Sequence, residues 1–422
     1  MIKLYGMKNI LPAKIWVEDE DDIIDNRKLS DEIINLRKLP YAKKHIALMA
    51  DAHASGFGVP IGSVVATENI LVPDLVSNDI ACGVRYRQYK NEPGKVEDIR
   101  PVLSQLLEKI EEKIPLGSNH RDPHINDKYS ERLGSFIENN YHEYDKFIRL
   151  SNNNKGSYEG STTNVAYKQL ASNIATLGGG NHFIEIQVTE DNEIAIMIHT
   201  GSRYIGHLVY KFFSDKAQEL NERWYIDTLV DNLKFNYLPK NSRWGQEYWN
   251  WMNFAKKFAE FNRDFIMDII VDEFDKLTDI EDSEHRYDLN ISHNYVDYEN
   301  IKGTNYLVHR KGAVRARESD IVPIPGAMGS CSYIARGKGA DSSFHSCSHG
   351  AGRSHSRTEA KEEFTEEELR DHLLENDISY RIPAEGRDEY FKAYKDIDNV
   401  INNQSDLIKP LEKLKTLAVV KG

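Results

Sequence analysis

Cysteine is scarce in this chain: Cys82, Cys331 and Cys347 are the only three in 422 residues. An odd, sparse set in a long chain argues against a disulfide framework and fits a reducing, cytoplasmic compartment. Long apolar runs are missing too. None approaches the ~20 residues needed to span a bilayer, so no membrane partner is expected. The first segment, MIKLYGMKNILPAKIWVEDEDD, has no apolar core followed by a cleavage site, so it does not read as a secretory signal. Net positive charge is also lacking. The formal net charge of −13 opposes indiscriminate binding to nucleic acid but leaves room for a local basic groove. Internal repeats and low-complexity linkers are not found.

What is present is an ordinary globular composition, 40% hydrophobic and 10% aromatic. Short β-prone runs bounded by Gly and Pro fall in three regions: HIALMADAHASGFGVPIGSVVAT, IATLGGGNHFIEIQV with IAIMIHTGSRYIG, and TNYLVHRKGAVRAR with IVPIPGAMGSCSYIARG. These read as strands meeting at tight turns. Between them, PVLSQLLEKIEEKI (Pro101 to Ile114) has apolar residues at helical spacing. So does the stretch from Trp251 to Phe274, where Trp251, Phe254, Phe258, Phe261, Phe265 and Ile269 form a stripe. Such a stripe reads as core rather than as a stacking platform for a cofactor. The tail from Asn399 reads as a helix and then a short strand-like end. Glycine-rich polar segments lie in the middle and at both ends, so residues 1–422 read as one large α+β domain. The basic stretch HRKGAVRAR, His309 to Arg317, reads either as part of a groove or as a solvated loop.

Three of the fifteen histidines sit in unusual surroundings. His182 lies in GGGNHFIE, His199 in IHTGSR and His293 in ISHNYV. Asp79 and Cys82 share the segment VSNDIACGVR. Imidazole, thiolate and carboxylate together make a transition-metal ligand set. Five such ligands exceed one open tetrahedral site. Two ions sharing a thiolate would use them all, and paired ions suit phosphoryl transfer.

SCSHGAGRSHSR, Ser346 to Arg357, places His349 before Gly350, Ala351, Gly352 and Arg353. Small residues let backbone N–H groups approach an anion, and Arg353 can pair with phosphate in a planar fork. A histidine here can act as a nucleophile toward phosphorus, or the segment is simply a turn. IPGAMGS is a second small-residue loop and matches no Walker pattern. In ADAHASGFG, Asp51 or His53 can orient a catalytic group or serve structure. His345 and His355 read as bystanders.

Taken together, DIACG, GGGNHFIE, IHTGSR, HN (His293–Asn294), HRKGAVRA, IPGAMG, SCSHGAGR and the terminal VVKG resemble the RtcB family of RNA ligases. The resemblance runs from about Lys44 to the last residue. It implies an α+β fold with β-sheets around a central metal and nucleotide cleft. It implies a dinuclear site of two Mn2+ ions on Asp79, Cys82, His182, His199 and His293, with Cys82 bridging. The residues alone suit zinc as well, so manganese comes from the resemblance only. It also implies that His349 takes GMP from GTP, with Asp51 a candidate to hold its reactive tautomer. GMP then activates an RNA 3′-phosphate for attack by a 5′-hydroxyl, a 2′,3′-cyclic phosphate being opened first. Implied guanylate contacts are Asn181, Glu185, Asn294, Pro325, Gly326, Ala327, Met328, Ser332, Gly350, Ala351, Gly352 and Lys421. Arg203, Lys311 and Arg353 are expected at phosphate or RNA.

The sequence departs from the family at Ser77, Asn78 and Ala81, at Ala327, and in ADAHASG, without removing a ligand or the nucleophile. Two other readings stay open: a metallo-phosphohydrolase acting on nucleic-acid ends, which needs neither His349 nor Lys421, and a non-catalytic RNA-binding scaffold.

Overall fold

Two sheets frame the protein. The computed structural model describes residues 1–17, 23, 26–90, 97, 99–123, 128–145, 147, 165–224, 229–230, 233–278 and 284–422. The larger sheet runs in the order His285–Ser292, Gly83–Tyr89, Ile194–Thr200, Phe183–Thr189, Ile408–Lys421, Ser332–Gly337, Ile321–Ile324. Ser379–Arg381 pairs in parallel with Ile408–Lys421. FIEIQVT and IAIMIHT are buried along their whole length, as expected for short continuous apolar runs covered on both faces. The smaller sheet has six strands, in the order Ile2–Leu4, Ala13–Ile15, Ala42–His53, Ile61–Thr67, Thr304–Lys311, Asn294–Ile301. The fold is α+β.

The two sheets meet at a single residue. His285–Ser292 belongs to the large sheet and Asn294–Ile301 to the small one, and His293 alone joins them. A two-stranded ribbon, Ala313–Arg315 with Ser346–Ser348, delivers His349 to the same junction.

The 36-residue helix Arg243–Thr278 covers the large sheet. Its Trp251, Phe254, Phe258, Phe265 and Ile269 pack in one core with Ile184, Ile196 and Ile198 of the central strands. The aromatic stripe is therefore core. Phe261 is partly buried and stacks on Phe136 at 4.7 Å between ring centroids. Helix Leu103–Lys113 buries Leu103, Leu106, Leu107 and Ile110, and residues 100–102 lead into it as a 3₁₀ turn. No described helix is long and apolar enough to cross a membrane.

Two expectations need correction. The tail does not end in a short strand. After helix Ile397–Asn403, a 14-residue strand, Ile408–Lys421, runs through the middle of the large sheet. Pro410 disguises it. Proline is tolerated there because the pairing with the neighbouring strand shifts register between Ile334 and Ala335. HRKGAVRAR is not a solvated loop either. Arg310 is fully buried and pairs with the equally buried Glu299 at 2.8 Å, and Lys311 is buried beside it.

Phe258 is fully buried and meets Phe136 edge-on. Phe258→Ala is expected to remove about 3–5 kcal/mol of stability, read as a lower denaturation midpoint with an unchanged denaturant slope.

Candidate active site

Asp79 and Cys82 lie on a turn closed by the Cys82 N–H donating to Asp79 O at 3.1 Å. Within it Ala81 has φ 56°, a conformation uncommon for a residue with a side chain. Asn294 holds the turn in place. Its carbonyl accepts from the Ala81 N–H at 2.7 Å, and its Nδ2 donates to Asp79 O at 3.0 Å. Gly201 is required opposite, because a Cβ there would collide with Asp79 Oδ1 and the Cys82 Cα.

The strands bring the histidines to this turn. His199 lies near the end of its strand and pairs in register with Phe183, the residue after His182. Cys82 Sγ lies 3.4 Å from His182 Nε2 and 3.2 Å from His199 Nε2. His182 Nε2 is 3.2 Å from Asp79 Oδ2, and His199 Nε2 is 3.0 Å from His293 Nε2. Two triads result, Asp79–Cys82–His182 and Cys82–His199–His293, and Cys82 belongs to both. His182 Nδ1 lies 2.9 Å from Leu177 O. That carbonyl takes the Nδ1 proton and turns Nε2 toward Asp79 and Cys82, where a metal ion would displace any proton Nε2 carries.

The electrostatics fit metal ions. Burial and the neighbouring imidazoles push His199 and His293 well below the usual histidine range, so both are neutral. Their Nε2 atoms face each other at 3.0 Å, and as neutral imidazoles both are available as metal ligands. Burial raises Asp79, but hydrogen bonding from His182 and the charges nearby carry it down to about 2. Burial, reinforced by Asp79, pushes the Cys82 thiol up, so a metal must displace its proton. The donor set suits two ions sharing the thiolate.

One buried side chain ties this arrangement together. Arg263, on the long helix, is fully buried. Its Nη1 donates to Ala81 O at 2.8 Å and to Thr200 O at 2.9 Å. Its Nη2 donates to Ser292 Oγ at 3.1 Å and its Nε to Asn290 Oδ1 at 2.7 Å. The residues it grips adjoin Cys82, His199 and His293. Sequence reading missed it, although a charged residue one turn from Ala259 and Met267 on a buried stripe is a signal.

His349 stands next to the triads, its ring 4.5 Å from that of His293. Its Nδ1 lies 2.6 Å from Asp51 Oδ2. The same oxygen accepts from the His349 N–H at 3.0 Å and the Gly350 N–H at 3.3 Å. Asp51 is fully buried. Burial alone would raise it, yet the pairing with His349 prevails and lowers it, so it is a carboxylate. His349 Nδ1–H therefore donates, which leaves Nε2 as the ring nitrogen open to the cleft.

A cleft of about 1400 Å³ opens from this point, larger than the ~300–1,000 Å³ of an ordinary small-ligand pocket. Asn181, Glu185, His199, Pro325 to Met328, His349 to Arg353 and Lys421 line it. Burial pushes Glu185 up to about 7. Its Oε2 accepts from Gln187 Nε2 at 2.6 Å and Thr416 Oγ1 at 3.1 Å. Lys421 Nζ pairs with Glu389 at 2.8 Å. Ser332 stands one layer back, where its Oγ accepts from Gln187 Nε2 and from the Gly326 N–H, both at 3.1 Å.

Other residues expected at the site sit differently. Asn294 is committed to backbone contacts, with its Oδ1 accepting from the Gly312 N–H at 2.7 Å. Arg203 donates to Thr176 Oγ1 and Gly117 O, both at 3.1 Å. Lys311 donates to Val59 O at 3.0 Å, and its burial lowers it to about 8. Neither is in the cleft wall. Arg353 is in the wall but points its nitrogens inward, to His355 O, Glu389, Tyr394 Oη and Asp388 O.

Arg263→Met keeps the volume but strands the gripped carbonyls. It is expected to weaken Mn2+ or Co2+ binding about 10- to 100-fold, measured by calorimetry and by the thiolate-to-cobalt absorption band, with Arg263→Lys intermediate.

Comparison with known proteins agrees with this geometry. A model of one family, described as tRNA-splicing ligase RtcB, matches residues 32–422. The RNA-splicing ligase RtcB of Escherichia coli K12 is 35% identical, covering 97% of each chain. The tRNA-splicing ligase RtcB of Methanococcus maripaludis is 30% identical over 93% of this chain and 91% of its own. That of Thermococcus kodakarensis is 28% identical over 98% and 95%. With a match of this extent and a shared-cysteine ligand cluster, the chain belongs to the RtcB family of splicing ligases.

Proposed function

We propose that this protein is a GTP- and manganese-dependent RNA ligase that joins 3′-phosphate or 2′,3′-cyclic-phosphate ends to 5′-hydroxyl ends through a histidine–GMP intermediate. The observation that carries this reading is the pairing of His349 Nδ1 with buried Asp51 Oδ2 at 2.6 Å, one ring away from the double triad. A metallo-phosphohydrolase that activates water on its ions has no need of a histidine nucleophile.

Asp51 holds the proton on Nδ1 and stabilises the positive charge that the ring gains. His349 Nε2 forms a bond to the α-phosphorus of GTP as the bond to pyrophosphate breaks. The guanylate then passes to an RNA 3′-phosphate, freeing the histidine. The RNA 5′-hydroxyl attacks the activated phosphorus and GMP leaves. Metal ions held by Asp79, Cys82, His182, His199 and His293 would neutralise charge on the phosphoryl oxygens. The small residues Pro325 to Met328 and His349 to Gly352 leave room for the guanylate phosphate against the backbone. Glu185 faces the same cleft, and its ionised carboxylate accepts from guanine's two N–H groups.

Incubation with α-32P-labelled GTP and Mn2+ is expected to give acid-labile protein label. His349→Ala gives none, and Asp51→Asn is slowed about 100-fold or more. A metal-loaded wild type that takes up no label overturns the mechanism and leaves the hydrolase reading in its place.

Glu185→Gln is expected to raise the KM for GTP about 10- to 100-fold, the worth of a hydrogen bond to a charged group. In the wild type, KM should fall as pH rises through about 7, where the carboxylate forms. The variant loses that step, and a pH series of label uptake checks both.

A further inference from the structure

The outer end of the cleft holds a feature that the reaction so far leaves unused. Phe57 lines it and is 86% exposed. A lone exposed apolar residue needs no explanation, but this one is held off the surface by a built support. Gly56 and Gly58 flank it with φ 75° and 86°, and a Cβ on Gly56 would meet nothing within 4 Å. The tip at Gly56 and Phe57 therefore stands in open space.

It is nevertheless pinned. Glu32, itself buried, takes three bonds from the loop, each 3.0 Å. Its Oε2 accepts from the Ser55 N–H, and its Oε1 accepts from Ser55 Oγ and the Gly58 N–H. A free loop would fold a phenyl ring onto nearby apolar surface. This clamp prevents that collapse, so the ring is displayed with little conformational freedom left to lose on binding.

The helix that carries Glu32, Arg27–Arg37, also carries Arg27 and Lys28, both exposed and both in the wall of the same cleft. One rigid element thus sets the spacing between an aromatic face and two cations. That pairing suits single-stranded nucleic acid, whose bases stack on aromatic rings while cations follow the backbone.

We propose that Phe57 is a stacking platform for one base of the single-stranded RNA end that enters the cleft, with Arg27 and Lys28 on the adjoining phosphates. The proposal rests on the RNA-ligase reading above. Phe57 acts on the affinity and placement of the RNA and touches no reacting atom.

The test measures binding of a short 3′-phosphate RNA to the metal-loaded protein, alongside sealing by the wild type. Phe57→Ala is expected to raise Kd about 5- to 100-fold, the worth of one stacked base. Phe57→Trp restores binding and its fluorescence is quenched by RNA, whereas Phe57→Leu does not restore it. Abasic sites are then placed one at a time along the RNA. One position weakens wild-type binding yet leaves the Phe57→Ala variant unchanged. Arg27→Ala and Lys28→Ala each lower the slope of log Kd against log salt by about one.

If Phe57→Ala binds as the wild type does, or weakens binding equally with every abasic RNA, the stacking proposal is wrong. A wild type that binds RNA but never seals it removes the ligase reading instead. The two failures are therefore told apart by the wild-type control.

Discussion

A single buried guanidinium holds the histidine–cysteine cluster of this protein together. Arg263 reaches from the middle of the covering helix to residues adjoining three of the five clustered metal-type ligands. Taking a cation out of water costs several kcal/mol. Here four oxygens from three segments accept its hydrogen bonds, and Glu260, Asp264 and Asp79 add negative charge nearby. Helix, sheet junction and ligand turn therefore cannot move independently. A strained Ala81 and a collision-prone Gly201 are tolerable because this grip fixes the backbone on both sides of them.

A second hub ties the loop after His349 to the last strand in the chain. Glu389 accepts from Lys421 at 2.8 Å, Arg353 at 3.2 Å and Arg357 at 2.6 Å. Burial would raise it, but the three cations carry it down to about 2. The loop after His349 is thus locked to the last strand of the large sheet. Asp51 locks its other end. His349 is held between two buried carboxylates, Asp51 at its ring and Glu389 at the loop that follows it.

Much of the site was legible because its residues are rare types in distinctive glycine-rich settings. Asp79, Cys82, His182, His199 and His293 could be singled out before their proximity was known. The long helix was legible from its aromatic period. Other parts were hidden for physical reasons. Pro410 masked a central strand, because tolerance of proline depends on a register shift that only the paired strand shows. Arg310 and Lys311 read as groove or solvated loop, with Lys311 expected at phosphate or RNA, because the sequence does not reveal Glu299 or the Val59 carbonyl as their partners. Arg353 reads as a phosphate ligand by type, yet its donors face inward once the chain folds. Glu32, Arg263 and Glu389 act through partners far away in the sequence and carry no local motif.

Strand Ile408–Lys421 has a consequence for how the protein is made. It lies between Phe183–Thr189 and Ser332–Gly337, and its Thr416 bonds Glu185 across 231 positions of chain. Such distant pairing is slow to find, because a long loop must close before any contact rewards it. During synthesis Phe183–Thr189 emerges long before this neighbour does. For that interval it presents an open edge, the kind of edge that invites wrong partners. The ligand-bearing half of the molecule thus waits on the ribosome for the strand that completes it.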